Sequence, residues 1–392
     1  MRFNSKDHIQ SLDGLRGIAI LLVFFFHFVP QDRNDPLAVA SRLGWTGVDL
    51  FFVLSGFLIT GILVDTRESA NRFKSFYARR ALRILPVYFL AIALVIIGTH
   101  FLRGLRNWAD IPIFFYGSNL VAAVSNQRLL FPPYFNCAHF WSLALEEQFY
   151  TIWPLVVFLI PRRQTLIRVC AFGILAALLF RVTVASFGMS LWVTYYELPM
   201  RMDTLLEGGL LALLVRGPEF QTWLSKRRLM LAFWAGCAAL APVIVITKSI
   251  WLSGPVNPDM LGAGKALAMD LGFSFIAIIF ASMVGLSLIP GTAWNRIGSI
   301  RSLRFFGKYS YGLYVWHGLF SLVAIEWVDG FRKVIHPRYL ADLLFCLCML
   351  GLFTAISVLS YTQFEVRFLR LKSRFEATPG TSDLAVAVPR TS

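Results

Sequence analysis

The chain has 392 residues, of which 57% are hydrophobic and only 15% charged, and its mean hydropathy is +0.64. A soluble domain is nearer half apolar; here bilayer-length apolar runs recur along almost the whole sequence, which excludes an ordinary soluble enzyme and indicates a polytopic membrane protein. The formal net charge of +15 would point to nucleic acid in a soluble chain, but in a membrane chain it reads as basic loops that set orientation against the cytoplasmic leaflet.

In chain order the apolar segments are 14–30, 46–64, 82–102, 111–124, 141–160, 169–188, 203–215, 229–247, 267–289, 306–325 and 340–361. The first lacks an A-x-A-like cleavage site and reads as a retained helix, not a signal peptide. Segment 111–124 is short for a span and contains Pro112 and Asn119, so it is expected to be re-entrant or interfacial. With a cytoplasmic N-terminus, the other ten spans leave 25 lysines and arginines inside and 11 outside, with Arg181 within a span. Making 111–124 a full span would carry PRRQTLIR outside and invert everything after it, against the positive-inside rule.

The expected fold is therefore all-α, with about ten transmembrane helices and both termini cytoplasmic. Residues 1–361 form the membrane domain and 362–392 a cytoplasmic tail. The tail is expected to be largely disordered, because Ser373–Ser392 is polar and rich in small residues. Of the five cysteines, only Cys137 falls in an expected external loop, while Cys346 and Cys348 lie two apart on a helix and do not face each other. Neither a disulfide framework nor a metal site is expected.

Orientation gives depth. His27 lies three residues from the outer end of the first span, and Asp49 near the outer start of the second. At about 1.5 Å per residue, Glu146 sits roughly 8 Å below the outer entrance of the span that begins at Trp141. His317, Arg181 and Asp203 also fall in outer halves, with Glu207 nearer the middle. Ionisable groups inside a bilayer are costly unless they pair or line a wet cavity. Six on different spans suggest a polar chamber open to the outside; a salt-bridge network that clips the bundle is the plainer alternative.

A second cluster is expected at the inner boundary. Arg79, Arg80 and Arg83 lie in YARRALRILPVY, where i,i+3 and i,i+4 spacing lets two guanidiniums share a face. The guanidinium fork suits phosphate, although arginines also snorkel at such boundaries. Arg16 lies at the same level. From Arg16 to His27 is roughly 16 Å of helix, a gap that a ligand with phosphates at one end and a reactive group on a thin arm could bridge. Acyl-coenzyme A has that shape.

These residues resemble the acyltransferase-3 family of integral-membrane O-acyltransferases. SLDGLRGIAILLVFFFHF, with Arg16 and His27 separated by ten residues, is similar to its opening, and GVDLFFVLSGFLIT to its second-helix motif. RRALRILPVY resembles its Arg-x-x-Arg motif at Arg80 and Arg83. FWSLALEEQFY resembles its Ser-Leu-x-x-Glu-x-x-Phe-Tyr motif at Ser142, Glu146, Phe149 and Tyr150. GKYSYGLYVWH resembles its Ser-Tyr-x-x-Tyr-x-x-His motif at Ser310, Tyr311, Tyr314 and His317. The matches run in order from Ser11 to about Tyr361, and the chain looks like a stand-alone member without a fused esterase-like domain.

The resemblance implies a multi-pass enzyme of the bacterial inner membrane. It would move an acyl group, with acetyl the first expectation, from cytoplasmic acyl-CoA to a hydroxyl of an extracytoplasmic polysaccharide, glycolipid or glycosylated small molecule such as a macrolide. Acyl-CoA is a donor substrate, and no permanently bound cofactor is expected. His27 is the candidate general base, with Glu146 orienting its ring as the buried acid does in hydrolase triads. Ser142, Tyr150, Tyr314 and His317 are candidate oxyanion donors or pocket residues. Arg16, Arg80 and Arg83 would hold the donor's phosphates. Asp49, Arg181 and Asp203 belong to the pocket, with pairing of Asp49 to Arg201 or Arg181 as the alternative. A two-step route through an acyl-histidine is also open.

A proton-coupled transporter or flippase is the rival reading, since ionisable groups at depth are common in carriers. Against it, no inverted repeat is visible and the polar groups gather toward one side. One measurement parts the two. An acyltransferase binds acetyl-CoA or free CoA and hydrolyses the thioester slowly without acceptor; a carrier does neither.

Overall fold

A computed structural model of the chain describes residues 9–30, 36–103, 108–125, 130–131, 135–189, 191–217, 225–247 and 263–378. Among these residues ten helices run 18 residues or more. They are α1 (Gln10–Phe28), α2 (Gly47–Asp65), α3 (Arg72–Arg103), α4 (Phe140–Leu159) and α5 (Arg163–Ser186), then α6 (Leu198–Val215), α7 (Lys226–Ile246), α8 (Ala263–Ser287), α9 (Arg301–Leu319) and α10 (Arg338–Ser360). Seven helices are long and apolar enough to cross a membrane. The remaining three of the ten, α4, α6 and α9, carry interior polar residues: Glu146 and Glu147, Arg201 and Asp203, and Ser310 and His317.

The helix edges follow the apolar runs closely, with two informative differences. First, α3 begins at Arg72, ten residues before the apolar run. The added first turns carry Arg79 and Arg80, so the arginine motif lies within the helix. Second, α9 stops at Leu319, and two short helices, Ser321–Glu326 and Val328–Val334, replace its expected outer end. Segment 111–124 is a 3-10 turn, Trp108–Phe115, followed by the short helix Ser118–Ser125. Asn119, the polar residue that argued against a span, is held by Gln148 of α4 at 2.9 Å. The only strands among the described residues are two-residue pieces, Leu130–Phe131 antiparallel to Phe135–Asn136.

Beyond α10 the chain makes a π-helical turn, Tyr361–Glu365, and further helical turns to Phe375. These fold back on the start of α3. Ser75 Oγ donates to the carbonyl of Phe375 (2.8 Å), Asn71 Nδ2 to that of Glu376 (2.8 Å), and the Thr378 amide to Asn71 Oδ1 (3.0 Å). The rest of the expected tail, 379–392, lies outside the described residues, as do most of the expected external loop 248–266 and parts of 103–140.

Helices α1 and α9 touch backbone to backbone. A Cβ placed on Gly17 would land on the carbonyl of Leu303, and one on Gly307 on the carbonyl of Asp13. Small residues at such crossings allow close packing in lipid, where apolar burial by itself gives no preference for helix over acyl chain. The same device joins α2 to α6 at Gly56 and Gly208.

Two fully buried ion pairs reinforce the second crossing. Asp49 of α2 accepts from Arg201 of α6, and Arg181 of α5 donates to Asp203 of α6 at 2.6 Å. Arg181 also donates to Ser274 Oγ of α8 (2.6 Å) and to the Met200 carbonyl. The Arg201 guanidinium lies 4.2 Å from the Phe273 ring centroid. Four helices are thereby clipped through charged side chains that are fully buried. Removing one member of such a pair leaves a buried charge uncompensated, at a cost of about 3–5 kcal/mol. Asp49→Ala is therefore expected to lower the thermal midpoint of the purified protein sharply, and the apolar double substitution Asp49→Leu with Arg201→Met to recover most of it. A midpoint unchanged in Asp49→Ala would show that the pair does not clip the bundle.

Candidate active site

His27 lies in the last turn of α1, and its Nδ1 is 2.8 Å from the carbonyl of Val23. A carbonyl only accepts, so Nδ1 carries the hydrogen and Nε2 is the basic nitrogen of the neutral ring. His317 repeats the arrangement on α9, with Nδ1 2.8 Å from the Leu313 carbonyl. The two rings meet edge to face, 5.0 Å between centroids. His317 is fully buried, whereas His27 is half-buried and so more open to a reactant. Phe24 and Phe28, stacked on each other at 4.5 Å, approach the His317 ring at 5.9 and 6.3 Å. The apolar run before His27 thus supplies a dry wall beside the pair.

A third histidine completes the group. His139, the N-cap of α4, is buried and donates from Nε2 to the Val315 carbonyl at 3.3 Å. Its ring lies 5.7 Å from His317 and 5.5 Å from Tyr314. Sequence reasoning passed over it because it sits in a loop without periodicity. The signal available was its position three residues before Ser142.

Ser142 and Tyr314 lie beside these rings. Their oxygens are 2.5 Å apart, and both hydroxyls reach the His139 carbonyl, Tyr314 at 3.0 Å and Ser142 at 3.3 Å. Both hydroxyl hydrogens are used inside this triangle. Either residue can serve an oxyanion only after giving up one of these bonds.

Glu146 is one turn farther along α4, on the same face as Ser142. It does not touch His27, contrary to the expected triad-like pairing. Its Oε1 accepts from Ser55 of α2 at 2.7 Å, and its Oε2 is 3.9 Å from Arg80 Nη2. Arg80 also bonds Glu147 at 3.3 Å and lies 3.7 Å over the Tyr150 ring. The physical reason is the inner extension of α3. Because α3 starts at Arg72, Arg80 stands roughly 12 Å along it and meets the carboxylates of α4. Arg80 is thus paired with carboxylates of α4 while it lines one space with Arg16 and Arg83.

Toward the Arg16 end of α1, other cations gather. A cavity of about 710 Å³ is lined by Arg16 and Arg83, as expected, together with Arg301, Arg304 and Lys308; Asp13 and Glu365 are its acidic members. The three α9 residues had counted only as inner charge. Their i, i+3, i+7 spacing was the readable signal, since the same stripe continues through Tyr311 to Tyr314. Arg16, Arg83 and Tyr311 also line a narrower space of about 70 Å³, which includes Ser55, Arg80 and Glu146 and ends at Ser142 and Tyr314.

The expected single outer chamber is therefore three separate groups: the histidines with Ser142 and Tyr314, the Arg80–Glu146 group below them, and the ion pairs of Asp49 and Arg181. The Asp49, Arg181 and Asp203 side chains bond one another's helices and take no part in the histidine group. Tyr150 faces Arg80. Among the described residues no group of histidine, cysteine and carboxylate side chains is arranged to hold a metal ion.

The profile of the acyltransferase-3 family, described as an acyltransferase domain, matches residues 9–362. The peptidoglycan O-acetyltransferase OatA of Listeria monocytogenes is 31% identical over 332 residues, which are 80% of this chain and 49% of that protein. A provisionally named O-acetyltransferase of Staphylococcus aureus is 29% identical over 349 residues, 84% of this chain and 53% of the relative. The chain thus spans about half the length of these relatives. No solved structure matches. Nearly all of the chain, including every helix that contributes to the histidine group, falls within the matched domain: this protein belongs to the acyltransferase-3 family.

Proposed function

We propose that the protein is a membrane O-acyltransferase that takes an acyl group, acetyl first, from cytoplasmic acyl-CoA and places it on a hydroxyl of an extracytoplasmic carbohydrate. The observation that carries this reading is the order of groups along α1 and α9: five cations around a cavity, a narrow polar space beyond it, then Tyr314 and the histidine pair. A phosphorylated head with a thin arm and a terminal thioester is complementary to that order. A carrier has no use for it. The names of the relatives favour a cell-wall glycan as the acceptor class, and the excess of lysine and arginine on one side favours cytoplasmic termini in a bacterial inner membrane.

In this reading Arg16, Arg83, Arg301, Arg304 and Lys308 hold the phosphates. Ser55, Arg80 and Glu146 flank the arm, and Glu146 with Glu147 keeps the Arg80 charge compensated. Nε2 of His27 removes the acceptor's proton as its oxygen attacks the thioester carbon. The C–O bond forms, the tetrahedral oxyanion takes a hydrogen bond from Tyr314 or Ser142, and the C–S bond breaks. The sulfur then receives the proton from Nε2 and leaves as the CoA thiol. The Val23 carbonyl, accepting from Nδ1–H throughout, steadies the imidazolium that forms in between.

A positioned general base contributes about 10²–10⁴ in rate. His27→Ala is expected to lower acyl transfer by that factor while CoA binding stays at the wild-type level, and Arg83→Ala to weaken CoA binding. A folded His27→Ala protein that acylates at the wild-type rate would sink the catalytic assignment.

A further inference from the structure

The inner cavity is lined by more than cations. Phe305 and Tyr309 stand one turn apart on α9 with ring centroids 5.0 Å apart, and Tyr309 meets Tyr361 edge-on at 5.2 Å. The Lys308 ammonium lies 5.1 Å from the first tyrosine ring and 5.2 Å from the second. All three rings line the same cavity as Arg301 and Arg304. Phe305 is 43% exposed, so core packing does not account for it. Interfacial aromatics anchor helices from the lipid side, but these rings face one another and a cationic cavity.

Phosphates call for the cations; a flat π-system calls for the rings, because stacking on aromatic side chains is how proteins hold nucleobases without reading their edges. A nucleotide asks for both within one cavity, and a volume of about 710 Å³ is in the range of pockets that enclose small organic ligands. Inorganic phosphate or a phosphopantetheine arm would need the cations alone.

We propose that Phe305, Tyr309 and Tyr361 form a base-stacking subsite for the purine of a nucleotide whose phosphates are held by Arg301, Arg304 and Lys308. The inference rests on the acyl-CoA reading above and deepens it, since it assigns the nucleotide end of the donor to the mouth of the cavity and makes the base a determinant of affinity. Tyr361 opens the π-helical turn, so the segment after α10 becomes one wall of the nucleotide site.

The test is calorimetric binding to the purified full chain with three probes: 3′,5′-ADP, inorganic pyrophosphate and 4′-phosphopantetheine. The wild-type protein should bind 3′,5′-ADP at least about 10-fold more tightly than pyrophosphate, in line with the alanine cost of one stacked base. Tyr309→Ala and Tyr361→Ala should each lose about that factor for 3′,5′-ADP and leave pyrophosphate and phosphopantetheine unchanged. Tyr309→Phe should bind as wild type, and Arg304→Ala should weaken 3′,5′-ADP and pyrophosphate alike. The subsite is wrong if both alanine variants bind 3′,5′-ADP like wild type, or if the wild-type protein holds pyrophosphate as tightly as 3′,5′-ADP. The second comparison needs no variant and survives a failure of the alanine proteins to fold. If the wild-type chain binds neither CoA nor 3′,5′-ADP, the donor reading falls with it; if it binds CoA but the alanine variants are silent, only the subsite falls.

Discussion

Gly17 and Gly307 bring α1 and α9 into backbone contact, and the geometry of the histidine group follows from that contact. Both helices leave it in the same direction. His27 is ten residues beyond Gly17 and His317 ten beyond Gly307, so equal rise, roughly 15 Å, sets the two rings at one level. Arg16 and Lys308 lie next to the same contact. A larger side chain at either glycine would separate the helices along their whole length and would part the histidine rings at one end and the cationic cavity at the other. Nothing in the chemistry of imidazole requires glycine, yet the imidazole pair depends on it.

Charge inside a bilayer is tolerated only where something answers it, and the protein does so in three ways. Asp49, Arg201, Arg181 and Asp203 answer one another completely and behave as structure. Arg80, Glu146, Glu147 and Ser55 form a group that is paired but borders open space. At the inner cavity the cations outnumber the acids, and that imbalance is what an anionic ligand would correct. His27 and His317 each give an Nδ1 hydrogen to a carbonyl one turn back on their own helix. The degree of internal compensation therefore separates scaffold from site more clearly than burial does, since both ion pairs and His317 are equally enclosed.

Most helix positions were legible because a span must be apolar over its length, and the ends of such runs can be read to within a few residues. That Arg16 and His27 share one helix was also legible. What failed was the meeting of residues from different helices. Depth along α4 says where Glu146 is, but not that α3 starts ten residues early and brings Arg80 up to it. Asp49 had two possible arginine partners in the sequence, and only the crossing of α2 with α6 chooses Arg201. His139 had no periodic pattern to announce it. Arg301, Arg304 and Lys308 did have one, but their charge had already been explained by orientation.

The Tyr314 triangle lies where the narrow space meets the histidine group. That space is lined by Ser142 and Tyr314 together with Arg80 and Glu146. Ser142, Tyr314 and the His139 carbonyl spend their hydrogen bonds on one another at the end of that space, and the phenylalanines beside His317 keep the far side dry. Any group entering between the two hydroxyls would have to displace one of these bonds. The His139 carbonyl thus ties the serine of α4 to the tyrosine of α9 and couples the positions of two hydroxyls carried by different helices.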